Sequence, residues 1–170
     1  MNRRGAHQNA IWIRPAALAD LDTIVRFRLA LLKEQASNPI YGRMRDDAET
    51  RVRRTTPLYL ASGREITYLA VDGRTPVGLL RCIEARGSAL LVPARYAYIA
   101  STYVARTHRR RGILKRLVDA AVVWARAREL TELRLHSTPE NAQANAAWEK
   151  LGFPAVELLR RREVGRAPGA

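Results

Sequence analysis

Val104-Ala-Arg-Thr-His-Arg-Arg-Arg-Gly-Ile-Leu114 joins two segments of different periodicity. Ala97 to Val104 runs into it as a strand. An amphipathic helix leaves it, with Leu114, Leu117, Val118, Ala121, Val122 and Ala125 recurring as one apolar stripe. Lys115, Arg116, Asp119 and Arg126 lie off the stripe. Arg109, Arg110 and Arg111 therefore stand at the helix N-terminus, where the macrodipole disfavours each cation by about 0.3–1 kcal/mol. Free backbone N–H groups point outward from the same end. A bound anion, above all a phosphate, reconciles the two. An arginine run alone reads as a solvated surface. The strand before it, and Gly112 within it, turn the reading toward a ligand, because glycine lets the backbone approach closely.

The rest of the chain fits one domain. It has 170 residues and is 47% apolar, which is enough for a core and too apolar for disorder. No apolar run approaches the ~18 residues that span a bilayer, so no membrane association is expected. The first nine residues are polar and do not resemble a secretory signal. Cys82 is the single cysteine and lies in the apolar run Val77 to Ile83. It reads as a small buried side chain in a cytoplasmic protein. The net charge of +14 favours anionic partners. All but three of the 30 basic residues are arginine, the exceptions being Lys33, Lys115 and Lys150, and this is a compositional bias as much as a surface. Aromatics are not interleaved with the arginines as a nucleic-acid platform requires, so nucleic acid is disfavoured. His7, His108 and His136 show no metal-site spacing, so no metal is expected.

Outward from the opening stretch, Ile11 to Ile13 reads as a strand broken by Pro15. Asp20 then caps a helix whose buried face is Leu21, Ile24, Phe27, Leu31 and Leu32. Asn38, Pro39 and Gly42 mark a loop, and Asp46 to Leu60 a second helix. Glu65 to Val71 and Pro76 to Glu84 are strands about the Asp72-Gly73 turn. Ala85 to Arg95 is a loop. Leu133 to Ser137 is a strand, Thr138-Pro139 opens a helix that Gly152 ends, and Ala155 to Arg160 is a last strand. Residues 1–9 and 163–170 are read as loose ends of a single domain, 1–170. The order implies an α/β (α+β) fold with mixed strand directions.

His108-Arg-Arg-Arg-Gly112-Ile-Leu114 resembles the acyl-coenzyme A loop of the GNAT superfamily of N-acetyltransferases, Arg/Gln-x-x-Gly-x-Gly/Ala. Arg109 and Gly112 match, while Leu114 departs from the small residue usual there. Asn141-Ala-Gln-Ala-Asn-Ala-Ala-Trp148-Glu-Lys-Leu-Gly-Phe153 resembles a second signature, Asn-x-x-Ala-x-x-x-Tyr-Glu-Lys-x-Gly-Phe. The resemblance implies a mostly antiparallel sheet with helices on both faces and a splayed parallel strand pair. It also implies an acetyltransferase using acetyl-coenzyme A (acetyl-CoA). Pantetheine would bond to the backbone at Tyr103 and Val104. The pyrophosphate would sit on the N–H groups of Arg109, Arg110, Arg111, Gly112, Ile113 and Leu114. Asn141 would face the cofactor, and Trp148 would pack beside it or in the core.

Acyl transfer to an amine requires a deprotonated amine, a stabilised oxyanion and a protonated leaving thiolate. The acidic residues many relatives carry are replaced here by Ala100 and Ser101, and their tyrosine acid by Trp148, whose indole is no useful acid. Glu84, Ser101 and Tyr103 are the replacement candidates, with Tyr98 and Ser137 behind them; Tyr98 and Tyr103 are expected on one strand face. With no histidine evident beside Cys82, attack in a ternary complex is expected rather than a covalent enzyme. The expected acceptor is a primary amine on a small molecule or peptide, and a homodimer is a candidate assembly. Two alternatives stand: a coenzyme-binding regulatory module without catalysis, and a nucleic-acid-binding protein suggested by charge alone.

Overall fold

The computed structural model describes residues 11–165. The expected loose ends at 1–9 and 163–170 fall for the most part outside the described residues. Five strands form one sheet in the order β1-β2-β3-β4-β5: β1 Trp12–Pro15, β2 Glu65–Asp72, β3 Thr75–Arg86, β4 Arg95–Val104 and β5 Leu133–Leu135. β1 to β4 pair antiparallel, while β4 and β5 are parallel. The helices are α1 Leu21–Glu34, α2 Ala48–Ala61, α3 Ile113–Arg126 and α4 Ala142–Lys150. The chain divides into two compact units at His136/Ser137. The first holds the sheet and α1 to α3, and the second holds α4.

In the first unit the helices cover both faces. Ile24 and Phe27 of α1 pack with Leu69, Val71 and Leu79. Ile113 of α3 lies against Gly78. Gly78 and Leu79 are consecutive on β3, so their outward directions are opposite, and α1 and α3 lie on opposite faces. The buried stripe of α3 is Ile113, Leu117, Val118, Ala121, Trp124 and Ala125. It includes Trp124 and omits Leu114 and Val122 from the expected stripe.

Local corrections follow from competing partners. Pro15 does not break β1 but ends it, opposite Tyr68 on an edge strand, where a missing N–H costs no ladder bond. Asp20 precedes α1 but gives its carboxylate to Arg14, at 2.6 Å to each oxygen, and to Ala17 N–H. The Arg14 hydrogen bond holds that carboxyl below its usual range. Cys82 is wholly buried, and burial pushes its thiol up to about 12. At pH 8 a thiolate fraction of roughly 10⁻⁴ follows. Thiol reagents should therefore label the unfolded chain at once and the native protein not measurably; rapid native labelling would contradict this burial.

In the second unit α4 starts at Ala142, not at Thr138-Pro139. Asn141 Oδ1 accepts from Ala144 N–H at 3.0 Å and caps the helix. Thr138 and Pro139 lend their carbonyls to the Asn145 amide instead. Gly152, at φ 86°, closes the C-terminal end as expected, with Phe153 N–H donating to Trp148 O. Ala155 to Arg160 is not a strand. Val156, Leu158 and Leu159 are exposed, and no strand pairs with the segment among the described residues.

Candidate active site

The site begins where β4 and β5 part. β4 runs to Val104, but its pairing with β5 is confined to Ala97↔Leu133, Tyr98↔Arg134 and Ile99↔Leu135. Against β3, Cys82 pairs with Ile99 and Arg81 with Ser101, so Ala100 is an extra residue, a β-bulge. A bulge bends its strand and raises the local twist. Beyond it, β4 has no strand on its β5 side among the described residues. This is the expected splay, and it leaves an open row of backbone hydrogen-bonding groups. The bulge also decides side-chain direction. Tyr98 and Tyr103 are five positions apart, so regular alternation would place them on opposite faces. Their partners Ile83 and Leu79 are four apart on regular β3, so the two tyrosines share the α1 face because of the bulge.

That open edge leads directly into the turn. Ala105 N–H donates to Val77 O at 2.8 Å, and Arg106–His108 makes one 3-10 turn. Arg110 then sits at φ 63° and Gly112 at φ 71°. Left-handed residues in such a turn bring successive N–H groups to one concave side, an anion-binding nest. No side chain caps α3, and beyond the adjoining residues of its own chain no atom of the described residues lies within 4 Å of where a Cβ on Gly112 would stand. The space and donors fit a pyrophosphate without displacing protein atoms.

The three arginines diverge. Arg109 turns back into the protein: its Nε donates to Val104 O at 2.9 Å, and its Nη2 reaches both Glu34 oxygens, at 2.9 and 2.7 Å. Its guanidinium also lies over the Tyr103 ring. Arg109 is thus a strut, and removing it costs these folded-state contacts, although the macrodipole alone disfavours a cation at this helix end. Arg111 is exposed, with Asp72 at 4.0 Å. Arg110 is exposed and makes no ion pair with any described residue. These two remain available to an anion. Ile113 is buried beneath the turn and Leu114 is partly exposed on it.

The proton-transfer candidates separate by face. Glu84 pairs with Ala97 and lies on the α3 face, 3.5 Å from Arg95, away from Tyr98. Tyr103 is packed on Phe27, with centroids 5.2 Å apart, as part of the core. Ser101 lies on the α1 face opposite Arg81. Tyr98 has the more telling partner: its hydroxyl is 2.8 Å from His136 Nδ1. Burial, with Tyr41 and Tyr96 adding, pushes the Tyr98 phenol above its ordinary value. His136 follows β5 directly, so the pair stands where the strands part. Reading the sequence for metal ligands passes over His136. The signal lies in register: Tyr98 pairs with Arg134, so position 136 is its diagonal neighbour on the same face. No group of three or more metal-ligand side chains occurs among the described residues.

In the second unit, Asn141 is occupied as a helix cap. Trp148 packs edge-on against Phe153, with centroids 5.5 Å apart at 74°. Its indole meets a ring rather than a proton acceptor. Ser137, the remaining candidate, opens this unit and makes no side-chain hydrogen bond with the described residues.

Comparison with known proteins agrees with this geometry. The acetyltransferase (GNAT) family model matches residues 31–153, and the chain belongs to that family. N-alpha-acetyltransferase 30 of Saccharomyces cerevisiae is 31% identical over 115 residues, covering 61% of this chain. The match spans 60% of that relative's length. A predicted acetyltransferase with acetyl-CoA from Clostridium acetobutylicum superposes with a TM-score of 0.74 at 18% identity, covering 91% of this chain and 96% of its own. Aminoglycoside 6'-N-acetyltransferase of Acinetobacter haemolyticus gives 0.73 at 21%, covering 92% and 99%. These two likenesses show the fold.

Proposed function

We propose that this protein is an N-acetyltransferase that moves an acetyl group from acetyl-CoA to a primary amine of a small molecule or peptide, by direct attack in a ternary complex. The observation that carries the reading is the continuity of an unpaired β4 edge with an uncapped, left-handed turn at α3. The first suits an amide-bearing arm and the second a pyrophosphate. Acetyl-CoA supplies the activated acyl group when bound. Support also comes from the family, from the acetyl-CoA found with the clostridial neighbour, and from the yeast relative's name as an N-alpha-acetyltransferase. The family match crosses the His136/Ser137 division, which supports reading 1–170 as one acetyltransferase domain.

The chain's own groups then divide the work. Backbone groups of Ala100 to Val104 hold the arm and face the reacting carbonyl. The nest from Arg109 to Leu114, with the Arg110 and Arg111 side chains, holds the phosphates. His136 takes the amine proton as the new C–N bond forms, and the thiolate released when the C–S bond breaks takes its proton from solvent. With its proton on Nδ1, the imidazole donates to Tyr98 Oη and leaves Nε2 as an open lone pair. The raised Tyr98 phenol stays protonated at neutral pH and keeps the ring aligned. Cys82 is excluded as a nucleophile by burial, and a lone reduced thiol supports a cytoplasmic setting. The replacement of the usual acid and base by Ala100, Ser101 and Trp148 favours a non-catalytic module, whereas the Tyr98–His136 pair supports turnover.

Acetyl-CoA at 100 times its dissociation constant should stabilise the fold by about 2.7 kcal/mol. Thermal unfolding with millimolar acetyl-CoA measures this, and an amine panel scored by thiol release tests turnover. No thermal shift in well-folded protein would sink the assignment.

A further inference from the structure

Glu34 is a carboxylate at the last position of α1, an unfavourable place beside the helix's negative pole. It lies at the protein surface, with its side chain 24% exposed, and is far in sequence from the coenzyme-binding turn. It nevertheless accepts hydrogen bonds from two of that turn's arginines: Arg106 Nε at 2.9 Å and Arg109 Nη2 at 2.9 and 2.7 Å. These contacts hold its carboxyl below the ordinary range in spite of partial burial. Arg109 in turn ties the end of β4 through Val104 O, so one guanidinium bridges β4 and α1. Tyr103 beneath it packs on Phe27 of α1.

We propose that Glu34 is a positioning residue for acetyl-CoA, holding Arg106 and Arg109 so that the turn presents its N–H groups to the pyrophosphate. The proposal rests on the reading of that turn as the coenzyme site. A non-glycine residue in the left-handed region persists only where its surroundings hold it. Arg110 is such a residue. Gly112 and α3 hold it on one side, and the Glu34–Arg109 bridge holds it on the other. Released from Glu34, Arg109 swings to solvent and the nest loses its upstream support.

The sign of the effect separates this role from simple electrostatics. Glu34→Gln removes a negative charge beside an anion site, so charge alone predicts tighter coenzyme A binding. Positioning predicts weaker binding, by about tenfold in Kd, because the donors fall out of register. Titration calorimetry of coenzyme A into wild type and Glu34→Gln, both folded at the working temperature, reads this directly. Pantetheine, which lacks the phosphates, is the second probe, titrated by NMR, and its Kd should rise clearly less than that of coenzyme A, because it meets only the end of β4 that Arg109 ties and none of the turn's N–H groups. A merely structural role would lower Tm and leave the coenzyme A Kd unmoved. Unchanged or tighter coenzyme A binding, or equal weakening of pantetheine, would overturn the proposal. If Glu34→Gln does not fold, Glu34→Asp keeps the charge and shortens its reach, with a Kd rise of about two- to fivefold expected and no change overturning the role. Failure of the wild-type protein to bind coenzyme A would instead overturn the functional reading, and this proposal with it.

Discussion

Gly112→Val should lose coenzyme A affinity by roughly a hundredfold or more, the largest binding effect expected of any single change in the turn. Two costs combine. The residue sits at φ 71°, where a β-branched side chain carries about 1–2 kcal/mol of backbone strain. That strain destabilises the apo protein and is read by thermal unfolding. The second cost falls on the ligand alone. The space above Gly112 is empty of protein atoms, so valine clashes with nothing until an anion approaches the N–H groups. Losing two charge-assisted hydrogen bonds, at about 1.5–3 kcal/mol each, accounts for the hundredfold. Gly112→Asn separates the two costs, because asparagine tolerates the left-handed region but fills the same space. It should keep most of the apo stability and still bind poorly. Arg111→Ala should lose less, and Arg126→Ala, on the exposed side of α3, almost nothing. Wild-type affinity in Gly112→Asn would show that the phosphates bind elsewhere.

What the sequence made legible was local. The change of period from Ala97–Val104 to the stripe of α3 marks a strand–turn–helix. Asp72-Gly73 marks the β2–β3 hairpin, with Gly73 at φ 59°, and Gly152 marks the end of α4. What escaped was decided by residues far apart in the chain. The direction of Arg109 depends on Glu34, 75 positions earlier. The face shared by Tyr98 and Tyr103 depends on a bulge that exists only relative to β3. The segment from Ala155 to Arg160 has strand-like composition, but a strand is defined by its partner, and none pairs with it among the described residues. The start of α4 moved because Asn141 competes as a cap with the proline signal at Pro139. The site followed the same division. The turn proposed for the coenzyme could be found from its spacing, whereas His136 emerges only once β4 and β5 are set in register.

That register leads to the largest effect expected on the chemical step. His136→Ala should lower kcat by roughly 10²–10³-fold at saturating acetyl-CoA, within the range for removal of a general base. Coenzyme A affinity should be unchanged, since the side-chain partner of His136 is Tyr98 and it supplies no group to the proposed phosphate nest. Added imidazole should restore part of the rate, which no loss of packing would allow. Tyr98→Phe keeps the ring and removes only the hydroxyl, 2.8 Å from Nδ1. It should cost roughly tenfold in kcat, because the imidazole loses the partner that fixes its tautomer rather than its basic nitrogen. The two effects should not multiply: in the double variant the tyrosine has no imidazole left to orient, so its rate should match His136→Ala. Glu84→Gln is the opposing case. Glu84 lies on the other face of the sheet and beside Arg95, so its loss should change kcat less than about twofold if His136 is the base. A large loss in Glu84→Gln together with full turnover in His136→Ala would exchange the two assignments and return the proton transfer to a carboxylate acting through water.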